Sequence, residues 1–529
     1  MEIAAPAPAA LPAWRRRPFL EKAAAALALA AIADSLFFLQ RSGATLGAFA
    51  VLLLAALLLT VPALRRRRSS LLALAAAALF ALALLDDPSL LAVVLFWGAA
   101  ATAVLLPRTA AFDHAGRWLL RLFVHLATAP AAPPTTFARF RQARARAGGA
   151  RFTDHLPKLW LPLVGSLVFL ALFAAANPLI GDAFARADIA LLFGGFSLMR
   201  LLFWVLIVPF LWALFRPRHA GLRRAAQRGP SATLPGVSLA SVTLSLLAFN
   251  AIFALQNGLD IAFLWSGAPL PGDLTLAAYA HRGAYPLIAT ALLAGLFVLV
   301  TLRPGTDTAA SPLVRRLVYL WIAQNVLLVA STMLRTFDYI DSYSLTRLRI
   351  AALLWMALVA IGLTLICIRI WREKSGAWLI NANALAALLA LSACAFVDLG
   401  ALAASWNVRH AREAGGRGVH LDLCYLGNLG PSALLPVLAM ESRPLAPAYA
   451  ERLAWVRNSI MDGMERDQSD WHGWTYRNHR RLAEAKRQIA ERRLQPRQHV
   501  GSRHCDGNRF DTPALPVTAP APLTAPAAR

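Results

Sequence analysis

Lysine is nearly absent from this chain: Lys22, Lys158, Lys374 and Lys486 are the whole supply in 529 residues. Acidic residues are scarce too, with 28 Asp and Glu against 53 Lys and Arg, and charged residues of both signs make up only 15%. A soluble fold of this length could not cover its surface with so few charges. Hydrophobic residues reach 58%, above the roughly 45–50% of ordinary globular chains. Also missing are ten-residue strands that alternate apolar and polar side chains, which argues against a membrane barrel. The four cysteines give no spacing that defines a framework. Cys367 and Cys394 lie inside apolar runs as small hydrophobes, whereas Cys424 and Cys505 could pair if their side of the membrane is oxidising.

What the chain does have is a succession of uncharged apolar runs of about 20 residues, the length that crosses a bilayer as a helix. Eleven such runs can be drawn, at 19–39, 44–64, 70–85, 89–106, 159–180, 194–215, 236–256, 284–302, 313–334, 350–371 and 378–403. The fold class that follows is all-α, a polytopic helical integral membrane protein with a small helical and disordered C-terminal tail. Five regions are expected: a four-span region at 1–107, a basic cytoplasmic loop at 108–158, a seven-span core at 159–403, a helical tail at 404–494 and a Pro/Ala-rich disordered end at 495–529.

Arginine marks the orientation, because basic residues accumulate in cytoplasmic loops. Arg65 to Arg68, the stretch from Arg108 to Lys158, Arg216 to Arg228, and Arg369 with Arg372 and Lys374 fall in alternate connections. The N-terminus is therefore expected in the cytoplasm and the tail outside a bacterial cytoplasmic membrane. One loop breaks the pattern: the connection after residue 334 carries Arg335, Arg347 and Arg349 together with Asp338, Tyr339, Asp341 and Tyr343 on the outer side. Net charge of +25 suggests nucleic acid, but it is spread over membrane loops rather than gathered in a soluble basic module, so no nucleic-acid partner is expected.

Two connections have patterns of their own. Residues 110–128 place Trp118, Leu119, Leu122 and Phe123 near one face beside Arg117 and Arg121. That suits either a helix lying in the inner headgroup layer or a soluble helix packed on its neighbours. A short re-entrant or interfacial helix is expected around 260–265, broken at Pro269 to Pro271.

Ionisable groups inside a bilayer cost several kcal/mol and mark functional candidates. Asp34, Arg200, Arg335 and Asp398 fall within or at the edge of spans, all in the outer half. Gln324, Ser331 and Arg335 form one helical stripe; Thr243, Asn250 and Asn257 form another. The functional reading is an outward-opening polar cavity bearing Asp34, Arg200, Asp260, His281, Arg282, Gln324, Asn325, Arg335, Asp338, Asp341, Arg347, Arg349 and Asp398. Its guanidinium forks would match a carboxylate or phosphate. The bland reading is that Ser, Thr and Asn stripes glue helices together at about 1 kcal/mol or less per pair.

Catalytic, metal and cofactor signatures are poor. His281, His410, His420 and Asp422 lack zinc-helix or Cys/His spacing, and no phosphate-binding glycine loop precedes a helix. No cofactor is expected, and an enzyme is the less favoured reading.

The runs QNGLDIAFLW, YAHRGAYPLIATALLAG, YLWIAQNVLLVAS, YSLTRLRIAALLWM and LDLCYLGNLGPSAL resemble a bacterial multi-pass membrane family, domain of unknown function 4173. The resemblance covers about residues 160 to 435, leaves out the first four spans, and implies membrane location alone. Three functions stay open: passage of a small polar or anionic solute, a sensor or assembly subunit that docks a membrane protein partner through its outer loops and tail, and a transferase on lipid-linked substrates.

Overall fold

A computed structural model describes residues 13–109, 112–145, 197–217, 238–265, 307–494 and 503–509, with positions 162, 165, 166, 169, 293 and 297 between them. Among the described residues the ordered structure is helical; the one extended feature is an isolated antiparallel bridge between Arg503 and Arg509. Eight helices there are long and apolar enough to cross a membrane, and the protein is an all-α polytopic membrane protein. The chain divides into two compact units.

The first unit comprises Met1–Tyr339, Leu348–Asp398 and Asp467–His479. It holds α1 (Ala13–Phe37), α2 (Thr45–Thr60), α3 (Arg68–Asp86), α4 (Leu90–Leu105), α5 (Ala115–Thr128), α6 (Ala132–Ala145), α7 (Leu198–Phe215) and α8 (Leu239–Asp260). To these it adds most of α9 (Pro312–Tyr343) and α10 (Arg347–Trp371), and all of α11 (Gly376–Phe396). Serine sets many of the starts. Ser89, Ser197, Ser238 and Ser375 each accept a backbone N–H from the first turn of α4, α7, α8 and α11, satisfying donors that a helix N-terminus leaves open.

Two apolar clusters organise this unit. Around α1–α4 and α7, Ala30, Ala33, Ala77, Ala81, Ala92 and Ala100 are buried, since small side chains let membrane helices approach closely. Phe19 meets Trp212 edge-on at 5.7 Å, tying α1 to α7. Around α8–α11, Val242, Leu246, Val318, Leu363 and Leu379 enclose Trp321, whose ring lies 5.2 Å from Phe249 and 5.9 Å from Phe253.

The structure corrects several expected boundaries. All but isolated positions of runs 159–180 and 284–302, together with Pro269 to Pro271, lie outside the described residues. The expected first span is α1, which carries Glu21, Lys22 and Asp34; the second is the 16-residue α2 followed by a 3-10 turn at Pro62–Leu64. The polar connection after residue 334 is mostly helix. At 32 residues α9 is about 48 Å long, more than the roughly 30 Å hydrocarbon core, so its end carries Asp338, Tyr339 and Asp341 beyond it. Only 344–346 connect α9 to α10, where Ser344 turns the chain at φ 68°. The last expected span ends at Phe396 rather than 403, because Val397 is extended, and this leaves Asp398 off the helix that carries Cys394. The expected element at 260–265 is a π-helical turn, Ile261–Trp265, continuing from α8.

The second unit comprises Ile340–Arg347, Leu399–Arg466 and Arg480–Arg529. Here α12 (Leu399–His410), α13 (Leu423–Leu429), α14 (Leu434–Glu441), and most of α15 (Pro447–Ser469) and α16 (Tyr476–Arg492) bury Leu426, Leu434, Val437, Leu438, Leu453, Val456 and Ala485. The α13–α14 stretch, Leu423–Glu441, counts among the eight by length and composition. A 3-10 turn at Gly430–Ala433 breaks it, however, and its apolar side chains pack against α15. Arg457, 1% exposed, sits on the Glu441 carboxylate at 2.9 Å. Cys424 and Cys505 form a disulfide. Within the Pro/Ala-rich end, residues 503–509 form a turn in which Arg503 and Arg509 both reach Glu451.

Candidate functional site

Polar side chains gather between α8 and α9 because their spacing on each helix keeps them on one face. Residues 250, 257 and 260 of α8 are Asn, Asn and Asp, and 324, 331 and 335 of α9 are Gln, Ser and Arg. Intervals of seven, three and four return a side chain to nearly the same helical azimuth. Apolar side chains around Trp321, among them Val242, Leu246 and Val318, pack at the Asn250 end of this seam.

The seam is joined by rungs. Asn250 Nδ2 donates to the carbonyls of Leu246 at 2.8 Å and Leu317 at 3.1 Å, while its Oδ1 accepts from Gln324 Nε2 at 2.8 Å. Two turns along, Asn257 Nδ2 donates to the Gln324 carbonyl at 3.1 Å. Beyond it Asp260, 0% exposed, is ion-paired with Arg335, 5% exposed. Gln256 Nε2 donates to Asp260 Oδ1 at 3.1 Å, and Trp265 Nε1 to Ser331 Oγ at 3.0 Å. Donors on these amides are engaged, but the buried oxygens Asn257 Oδ1 and Gln324 Oε1 accept nothing among the described residues. The seam therefore has acceptor capacity left for a hydroxyl, an ammonium or water.

Of the expected site residues, Asp260, Gln324 and Arg335 come together here. Asn325 is buried one residue further along, its Nδ2 turned back to the Trp321 carbonyl at 2.8 Å. Asp34 and Arg200 form their own pair between α1 and α7, with Arg200 Nε 2.9 Å from Asp34 Oδ2 and its guanidinium 5.5 Å from the Phe38 ring centre. Arg349 stacks over Tyr339 at 4.4 Å. Asp338 and Asp398 are half-buried, at the end of α9 and just past α11. Asp341 is exposed in the second unit, where Arg347 also lies and donates to Ser432 Oγ at 3.3 Å. His281 and Arg282 lie outside the described residues.

Sequence reasoning noticed the Asn250 and Asn257 stripe, and Gln256 on a second polar line of the same span, without assigning either to the site, and it missed Trp265 as a participant. A clasp at one end of the first unit also went unread. Arg477 donates to Asp86 Oδ2 at 2.9 Å, to Asp87 Oδ2 at 3.0 Å and to the Phe396 carbonyl at 3.0 Å. Nearby, Ala44 N donates to the Trp474 carbonyl at 2.7 Å and Arg41 pairs with Asp467 at 2.5 Å. Nearly 400 residues separate Arg477 from Asp86 in the chain, so no local pattern announces the contact.

Apolar helices arranged around a desolvated ion pair define a multi-pass integral membrane protein, and a family match stands beside that class. The chain belongs to the family of the domain of unknown function DUF4153, whose model matches residues 7–440. This corrects the resemblance to family 4173, and the match takes in the first four spans that the resemblance left out. No curated protein and no solved structure matches the chain.

Proposed function

We propose that this protein passes a small polar or anionic solute across a bacterial cytoplasmic membrane along the α8–α9 seam, with the Asp260–Arg335 pair as its latch. The buried ion pair carries this reading. Two apolar residues of similar size would hold α8 to α9 at least as firmly, so a desolvated pair at the end of a line of amides is a poor glue and a good switch. A carboxylate or phosphate entering the seam competes with Asp260 for the Arg335 fork. The buried amide oxygens at 257 and 324, which accept nothing among the described residues, would receive the hydroxyls of a polar solute.

Membrane orientation supports the same assignment. The connections at 38–44 and 86–89 and the end of α11 all meet residues 467–479, and these are the connections with little positive charge. The Arg65–Arg68 turn belongs to the opposite ends of α2 and α3, so the positive-inside rule puts the N-terminus in the cytoplasm and residues 467–479 outside. The Cys424–Cys505 disulfide agrees with an oxidising, extracytoplasmic tail. That tail also favours a second reading, a docking subunit for a membrane partner, because Trp471 and Tyr476 stand exposed on either side of the clasp.

Proteoliposomes loaded with radiolabelled phosphate, succinate or chloride test the first reading. Efflux above that of protein-free vesicles, lost in a folded Arg335→Gln variant, is the expected result. Wild-type protein that moves none of these anions faster than empty vesicles would overturn it in favour of docking.

A further inference from the structure

Helix α5 leaves an apolar face uncovered at a depth that the surrounding contacts fix. It starts seven residues after the α4 stretch ends at Arg108. Trp118 is buried against Leu105 and Leu106, the last apolar residues of that span, and Ala73 in the first turns of α3 packs on the same cluster. Ala115 N donates at 2.7 Å to Oδ1 of Asn381, in the first turns of α11. Three membrane-spanning helices thus end or begin against α5. A bilayer crossed by these three helices would have its boundary between hydrocarbon and headgroups at α5.

Its faces differ sharply. Trp118 and His125 turn inward, whereas Leu119, Phe123 and Leu126, at 66%, 66% and 57% exposure, form a row at spacings of four and three. Phe112, 55% exposed, stacks on Trp118 at 5.7 Å. On the polar side Asp113 takes Arg121 at 2.7 Å and Arg117 at 3.5 Å, and the Arg121 hydrogen bond holds the Asp113 carboxyl below the usual carboxylate range. Arg65, Arg66 and Arg68 stand exposed where α3 begins, at the same end of the spans.

We propose that α5 is an in-plane membrane anchor: Leu119, Phe123 and Leu126 enter the acyl chains of the cytoplasmic leaflet, and the surrounding arginines bind anionic phospholipid headgroups. The occupant is lipid rather than protein because the row lies at the level of the span ends, where a protein embedded in a bilayer meets lipid. An apolar stripe beside arginines is the pattern of a helix that sits in this layer. The inference needs the membrane class of the protein but not the passage of any solute.

Phe123→Cys in a Cys367→Ser, Cys394→Ser background, labelled with a polarity-sensitive fluorophore in nanodiscs, tests it. Leu126→Cys, one turn on, gives an independent reading should the first variant fold poorly. In phosphatidylglycerol discs we expect a blue-shifted signal, quenched about twofold more by lipid bearing a nitroxide at acyl carbon 5 than by one at carbon 12. In phosphatidylcholine discs the shift should shrink, and Arg66→Gln with Arg117→Gln should shrink it in phosphatidylglycerol as well. Quenching by aqueous iodide alone would overturn the anchor, since the row would then face water. Resistance to both quenchers would overturn it in favour of a second protein surface, and identical signals in both lipids would overturn the headgroup assignment.

Discussion

Removing one member of the Asp260–Arg335 pair strands the other, and the size of that penalty can be worked from the structure. Asp260 is fully buried and the Arg335 side chain is 6% exposed, so little water is available to solvate a survivor. Breaking such a pair from one side costs about 3–5 kcal/mol. Asp260→Ala also takes an acceptor from Gln256, a smaller loss of about 1 kcal/mol. With both residues made apolar, Asp260→Ala and Arg335→Met, no charge is stranded, and the double variant should lie closer to wild type than either single one. The expected coupling energy is therefore at least about 2 kcal/mol, with the double variant more stable than the sum of the singles. Unfolding in mixed micelles by titration with SDS, followed by tryptophan fluorescence, measures all four proteins. Single variants within about 1 kcal/mol of wild type, or strictly additive losses, would mean that the pair is solvated and the latch argument fails.

Other outcomes follow from the tail and the clasp. Under denaturing conditions without reductant, a maleimide–polyethylene glycol reagent should modify Cys367 and Cys394 only, and all four cysteines after reduction; four modified cysteines beforehand would remove the oxidising-side argument. Cys424→Ser should cost the second unit about 4.5 kcal/mol by the chain-entropy argument, the bridge closing 81 residues, and it should expose α15 to limited proteolysis. Arg477→Ala removes charged hydrogen bonds from a side chain only 17% exposed and should cost about 1.5–3 kcal/mol; Gly43→Val should loosen the same clasp, since the His472 and Trp474 carbonyls occupy the space a Cβ would need. Hydrogen bonds from Arg503 and Arg509 hold the Glu451 carboxyl down from 4.5 to about 2. A depressed carboxylate stabilises the fold in full above its unfolded value and loses that contribution as pH falls through the folded one. Protection factors of the amides at 503–509, taken against intrinsic exchange at each pH, should therefore be high at neutral pH and fall between about pH 4.5 and 2; protection unchanged down to pH 2 would refute the Glu451 clip.

The amino-acid sequence by itself decided the membrane class, because so many apolar runs of bilayer length cannot all be buried in a soluble core of this size. It also displayed the polar stripes, since residues 324, 331 and 335 share a face on any helix. Several boundaries were beyond it. Nothing local told that α9 would run on through Asp338 and Asp341, as helix propensity there competes with a polar composition that reads as loop. Only tertiary structure decided which stripe faces which. Asp260 could have met any arginine at its depth, and the choice of Arg335 depends on how α8 and α9 pack around Trp321. The same holds for Arg477 on Asp86 and Asp87 and for Cys424 on Cys505: long-range partners are selected by the packed chain, and neighbouring residues carry no trace of them.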